Sequence, residues 1–223
     1  MIYIFDENAG VDRLIIKGET HKYLIKVRRH KIGDELAFRN KEDIKKLHIY
    51  RLDEVEGRVA KLSLISSSQM EVNAIKELHI AWCIIDSKSI EKVLPSLCEI
   101  GVSKISFISC DRSQNNFKLD FKRFNRLVEA SMQQSGRTSI MAFDVYKDID
   151  SFIKEFPDTK AFDFTDNILN DSSDFKRVLI GCEGGFSSFE KELLKKQDVF
   201  RLNSPIILRS ESAVLAVASK ILL

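Results

Sequence analysis

From residue 78 to residue 223, strand-like and helix-like runs alternate, and no other feature of the sequence restricts the fold as much. Residues 78–85 (L-H-I-A-W-C-I-I) are an almost unbroken apolar run, as suits a strand buried on both faces. Residues 89–100 then place Ile90, Val93, Leu94, Leu97 and Ile100 at helical spacing, with Pro95 as a potential kink and Gly101 as a stop. Residues 105–109 read as a strand and 121–135 as a helix. Further strands are expected at 161–164, 178–182 and 199–202, and helices at about 188–196 and 212–222. This alternation predicts an α/β domain with a mostly parallel sheet.

The first 70 or so residues have a different rhythm. Short apolar or alternating runs at 2–5, 35–38, 47–52 and 55–65 are separated by Gly33-Asp34, Asn40 and Gly57. One helical stretch, about 19–30, lies among them. The segment reads as a small barrel-like or sandwich-like module. Ser66-Ser67-Ser68-Gln69 is polar and lies between two apolar segments, so it is the natural linker. The expected division is therefore 1–68 and 69–223.

Net charge is only +2, but its distribution is uneven. Between residues 17 and 31, Lys17, Lys22, Lys26, Arg28, Arg29 and Lys31 face Glu19 alone, and His21 and His30 lie among them. Such a patch is the electrostatic footprint of a phosphate-binding surface; a solvated helix face carries the same pattern. The start of the chain has no basic stretch before its short apolar run, and no apolar run reaches about 18 residues. Neither a secretion signal nor a membrane span is expected, and the reading is cytoplasmic. Cys83, Cys98, Cys110 and Cys182 form no C-x-x-C pair, so they are expected as buried or incidental thiols without a disulfide framework. All four histidines (His21, His30, His48 and His79) fall within the first 79 residues. That excludes a multi-histidine zinc site in the C-terminal domain, and no metal is expected.

Two segments can carry chemistry. In residues 178–190, V-L-I-G-C-E-G-G-F-S-S-F-E, a buried strand runs into Gly181 and Gly184-Gly185. Ser187 and Glu190 follow with capping-box spacing ahead of an apolar helix. Glycines there let backbone approach a ligand closely. The segment is not a phosphate-binding P-loop, because G-x-x-x-x-G-K-[ST] is missing. The first α/β strand is followed by D-S-K-S rather than G-x-G-x-x-G, which argues against a Rossmann dinucleotide site. In residues 202–215, L-N-S-P-I-I-L-R-S-E-S-A-V-L, a proline turn leads to Arg209 at the mouth of an apolar helix. An ion pair of Arg209 with Glu211 or Glu183 is the plain structural alternative to a functional cation.

In this order near the C-terminus, the two segments resemble the G-P-E-G-G and L-G-x-R-I-L-R-x-E-T-A signatures of the RsmE family, the 16S ribosomal RNA uridine-N3 methyltransferases. The resemblance runs the length of the chain. His21, Val27, Arg29, Gly33 and Asp34 resemble the N-terminal H-x-x-x-V-L-R-x-x-x-G-D. Glu91 and Glu99-Ile100-Gly101-Val102 resemble a helix end, E-L-G-V. Asp111-Arg112-Ser113 resembles E-R-S, and Gln133-Gln134-Ser135-Gly136-Arg137 resembles E-Q-C-G-R. The chain differs where Cys182 replaces the proline, where Ser204 and Ile206 replace glycine and arginine, and where Ser96 replaces a common lysine.

The resemblance implies a C-terminal SPOUT-type α/β domain with a deep trefoil knot, preceded by a PUA-like β-barrel. It also implies S-adenosylmethionine as cofactor, 16S rRNA or the small ribosomal subunit as partner, and a homodimer. On it, Ile180, Gly181, Glu183, Gly184, Gly185, Leu202, Asn203, Ile207, Leu208 and Ser210 are expected to hold the cofactor. Arg209 is the first catalytic candidate, with Arg112 and Arg137 as alternates. Lys22, Lys26, Arg28 and Arg29 are expected to grip RNA. Two other readings stay open: a SPOUT enzyme acting on transfer RNA or another ribosomal site, and a non-catalytic RNA-binding or ribosome-assembly factor.

Overall fold

The computed structural model describes residues 2–113, 118–170 and 175–223. The chain divides into two compact units, Met1–Val72 with Gln133–Thr138, and Asn73–Met132 with Ser139–Leu223.

The first unit contains β1 (Ile4–Phe5), β2 (Arg13–Lys17), α1 (Gly18–His21), a π-helical turn (Lys22–Val27), β3 (Glu35–Asn40), β4 (Asp43–Glu56) and β5 (Val59–Gln69). Its sheet has the order β1-β3-β4-β5-β2, antiparallel except for the parallel β1–β3 edge. In β2, Leu14 and Ile16 are buried while Arg13, Ile15 and Lys17 are exposed, the two-residue period of a half-buried strand. Leu14 and Ile16 join Leu36, Phe38, Tyr50, Leu52, Ala60 and Leu62 in one core. Each of the Leu, Ile and Phe side chains contributes roughly 1.5–3 kcal/mol on full burial. Buried Tyr50 satisfies its hydroxyl twice: it donates to the Val11 carbonyl at 2.7 Å and accepts from the Gly10 amide at 2.8 Å.

Two expectations change here. Ser66–Gln69 is no linker: residues 66–69 pair with residues 46–49 of β4. The serines look linker-like because the end of β5 is exposed, extending past the residues that pair with β2. The helix expected over 19–30 is a single α-turn continued by the π-helical turn. It ends near Arg29, which holds the left-handed φ of 60° that few non-glycine residues adopt.

The second unit is built on six parallel strands in the order β11-β9-β10-β6-β7-β8. In chain order it runs β6 (His79–Cys83), α2 (Ser87–Ile100), β7 (Lys104–Ile108), α3 (Phe121–Ser135), β8 (Ala142–Tyr146) and α4 (Ile149–Glu155). It continues with β9 (Lys160–Phe162), β10 (Arg177–Ile180), α5 (Ser188–Leu194), β11 (Val199–Phe200) and α6 (Ser210–Leu222). All five residues of β6 are buried, as the apolar run requires. The Asp86 carboxylate caps α2 by accepting from the Ser89 amide, and Gly101 ends it in the left-handed conformation at φ 112°. Pro95 is accommodated inside α2, and its carbonyl accepts from the Ser131 hydroxyl at 2.8 Å. Helices α2 and α6 pack together. The sequence reading missed β8 and α4. The first is a half-exposed edge strand and the second only seven residues, so neither carries a long periodic signal.

The cysteine expectation is also corrected: Cys83 and Cys110 form a disulfide, while Cys98 and Cys182 are buried free thiols. Cys83 ends β6 and Cys110 lies two residues past β7. Only the pairing of those two strands brings the Cα atoms to 5.7 Å. Among the described residues no helix is long and apolar enough to cross a membrane.

Candidate active site

At the carboxyl ends of the parallel strands, where α/β sheets place ligands, the second unit has a cavity of about 480 Å³. One wall is the turn at residues 181–186, directly after β10. The facing wall is the segment 201–210, between β11 and α6. Phe162, the last residue of β9, with Asp163 and Phe164 after it, and Arg112, after β7, help to complete the lining.

The glycine wall is fixed by a dense set of bonds. Ser187 and Glu190 form a complete capping box: the Ser187 hydroxyl accepts from the Glu190 amide, and the Glu190 carboxylate accepts from the Ser187 amide at 2.7 Å. The same buried carboxylate accepts from the Asp111 amide at 2.8 Å, and the Ser187 hydroxyl donates to the Asp111 carboxylate. Arg112 Nη1 donates to the Gly184 carbonyl at 2.7 Å. A Cβ at Gly184 would lie 3.1 Å from Arg112 Cβ, so glycine is what lets this arginine lie across the turn. Gly185 has φ 64°, the left-handed region that favours glycine. The Cys182 thiol donates to the Arg112 carbonyl at 3.2 Å, and burial pushes its pKa up, so it stays protonated and is not an activated nucleophile.

One relay ties the two walls. The Trp82 indole N–H donates to Ser210 Oγ at 2.8 Å, and Ser210 Oγ donates to the Gly181 carbonyl at 2.6 Å. All three lie at element ends, so α6 starts at a fixed distance from the glycine turn. Ahead of Ser210 the second wall is more exposed: Ile206 is 72% exposed and Ile207 76%. Arg209 is the N-cap of α6, without a side-chain cap bond. Among the described residues its exposed guanidinium forms no ion pair, so the expected alternative of a pair with Glu211 or Glu183 is not what the structure has.

Of the residues expected at the site, Ile180, Gly181, Glu183, Gly184, Gly185, Leu202, Ile207, Leu208, Arg209, Ser210 and Arg112 line the cavity together. Asn203 does not line it. Arg137 is buried in the first unit, where its carbonyl accepts from the Tyr3 hydroxyl at 2.8 Å. Sequence reasoning missed Phe162, Asp163, Phe164, Lys191 and Arg201. Asp163 pairs with Lys191 at 3.3 Å; a strand end and the last turn of α5 meet there only through the fold, and no linear motif marks them. In the first unit, Lys22, Lys26, Arg28 and Arg29 are all exposed. Arg28 is the most ordered: its Nε donates to the Tyr23 hydroxyl at 2.7 Å, and an Nη donates to Gln134 at 3.3 Å. Among the described residues no group of three or more His, Cys, Asp or Glu side chains could hold a metal ion.

A parallel α/β unit with such a cavity at its strand ends defines a class, and comparison with known proteins places the chain within it. The RNA methyltransferase domain family matches residues 72–222. A Helicobacter pylori protein named ribosomal RNA small subunit methyltransferase E is 35% identical over 223 residues, spanning 98% of each chain. A Borreliella burgdorferi protein named ribosomal RNA small subunit methyltransferase E 2 is 27% identical, over 95% of this chain and 92% of its own. The fold is shared with a Neisseria gonorrhoeae ribosomal RNA small subunit methyltransferase E solved with S-adenosyl methionine. The TM-score is 0.75 at 17% identity, covering 98% of this chain and 95% of that one. The chain belongs to the ribosomal RNA small subunit methyltransferase E family.

Proposed function

We propose that the chain transfers the methyl group of S-adenosylmethionine to N3 of a uridine in 16S rRNA of the small ribosomal subunit, in the cytoplasm. The observation that carries the reading is the unpaired Arg209 guanidinium in a cavity between a rigid glycine turn and an apolar segment, in a chain of this family.

The residues fit the cofactor. The cavity has the size and mixed lining usual for cofactor sites, with Phe162, Ile180, Leu208 and Ala213 as apolar surface and the Asp163 carboxylate as an acceptor. Ile180, Gly181, Glu183, Gly184, Gly185, Leu202, Ile207, Leu208 and Ser210, which line the cavity, would hold the cofactor. When bound, it supplies an electrophilic methyl on a sulfonium. The chain must do the rest. Uridine N3 carries a proton on the Watson–Crick edge, so the base has to be unpaired and held facing the methyl. Arg209 placed against a uracil oxygen stabilises the negative charge that develops as the N3 proton passes to water, leaving the N3 electron pair to take the methyl. Arg112 is the alternate cation in the cavity, with Nη1 already engaged by Gly184; Arg137 is a weaker alternate, given its burial in the first unit.

The first unit serves as a PUA-like RNA-binding barrel in this reading, with Lys22, Lys26, Arg28 and Arg29 on the phosphate backbone, and the second unit as the transferase. The resemblance to the family further supports a trefoil knot around the two cavity walls and a homodimer.

The test is a methyl-transfer assay with labelled S-adenosylmethionine and small subunits that lack the modification, followed by nucleoside analysis. Label in 3-methyluridine of 16S rRNA is expected. Cofactor binding without label in 16S rRNA would move the substrate to another RNA, and absence of both would refute the reading.

A further inference from the structure

Phe164 is a large apolar side chain, 73% exposed, on the lining of the cavity. Exposed phenyls are common on mobile loops, but this loop is held on both sides of the residue. The Asp163 amide donates to the Phe200 carbonyl at 3.1 Å, and the Asp163 carboxylate pairs with Lys191. Arg201 Nε donates to the Thr165 carbonyl at 2.7 Å, the Arg201 amide to the Asn167 carbonyl at 2.9 Å, and Asn167 Nδ2 to the Val199 carbonyl at 3.0 Å. Phe162, two residues earlier, packs its ring on Phe200 with centroids 5.7 Å apart. Phe164 comes after the last residue of β9 and has no ring partner among the described residues.

A backbone fixed this firmly around a solvent-facing ring is a preorganised aromatic shelf. It shares its cavity with Arg209, which forms no ion pair among the described residues. Uracil needs both features: a flat face to stack on once it leaves its RNA stack, and a cation for its oxygens. We propose that Phe164 is the stacking platform for the extruded uracil, and so a substrate-binding residue of the RNA site rather than part of the cofactor pocket. The inference rests on the proposed uridine methylation.

The test compares wild type with Phe164→Ala, Phe164→Leu and Phe164→Trp. The alanine variant should raise KM for RNA by roughly tenfold while the Kd for S-adenosylmethionine, measured by calorimetry, stays at the wild-type value. Leucine, apolar but without a π-face, should behave like alanine, and tryptophan should restore KM to within about twofold. The proposal is overturned if cofactor affinity falls while KM for RNA holds, if leucine restores KM fully, or if the variants act only by changing the oligomeric state. Should wild type transfer no methyl to any RNA, the proposed function is what fails. Fluorescence of Phe164→Trp, read against wild type with its buried Trp82, then still decides the stacking. Quenching by a uridine-rich single-stranded RNA supports it, and unchanged emission overturns it.

Discussion

The two walls of the cavity are built in opposite ways. The turn at 181–186 is fixed by the Ser187–Glu190 capping box, the Glu190–Asp111 bond and the Arg112–Gly184 bond. The facing segment contributes exposed Ile206, exposed Ile207 and an unpaired Arg209, and is anchored chiefly where Ser210 meets Trp82 and Gly181. A rigid wall can hold a cofactor without reorganising. A looser wall can close over a ligand and bring a cation to the reacting base. Binding and catalysis should therefore separate between the walls.

Arg209→Ala should separate them most. If Arg209 stabilises developing charge, kcat falls about 10²- to 10³-fold, as when one oxyanion donor is removed elsewhere, with cofactor affinity near wild type. Single-turnover rates and calorimetry check the two halves, and a loss confined to cofactor affinity would move Arg209 to the binding wall. Ser210→Ala acts on the joint between the walls. It leaves a buried indole N–H and the Gly181 carbonyl without partners, at about 1–3 kcal/mol of stability measured by urea unfolding.

The glycine wall was readable from sequence because its logic is local. Strand, glycines and S-x-x-E follow one another within thirteen residues, and the capping box forms as its spacing requires. Arg209 was readable as a cation beside an apolar run at a helix start. Asp163, Phe164 and Lys191 were not, because they meet the site from a strand end and a helix turn that only sheet order brings together. The Cys83–Cys110 disulfide escaped for the same reason. Ser66–Gln69 failed differently: composition marks exposure, and an exposed strand end has the composition of a linker.

Two smaller effects lie away from the walls. Burial, with Lys104 nearby, depresses the His79 pKa from 6.5 to about 4, and its Nε2 lies 2.7 Å from Ser106 Oγ. The unfolded chain takes up that proton below about 6.5 and the folded one only near 4. Stability present above pH 6.5 is thus lost as pH falls toward 4, and His79→Gln should flatten a melting-temperature profile over that window. In the first unit, replacing Lys26, Arg28 and Arg29 with alanine should weaken RNA binding and make its dependence on log salt shallower by up to about 2, near 0.7 per lost contact to single-stranded RNA. An unchanged slope in a salt titration would remove these residues from the RNA surface.

The contrast between the walls is tested most directly by hydrogen exchange with and without S-adenosylmethionine. The amides of residues 202–209 should gain marked protection on binding, while those of 181–186, already constrained, change little. Equal protection of both walls, or none in 202–209, would contradict the account of a densely bonded wall that receives the cofactor and a more exposed wall that closes on it.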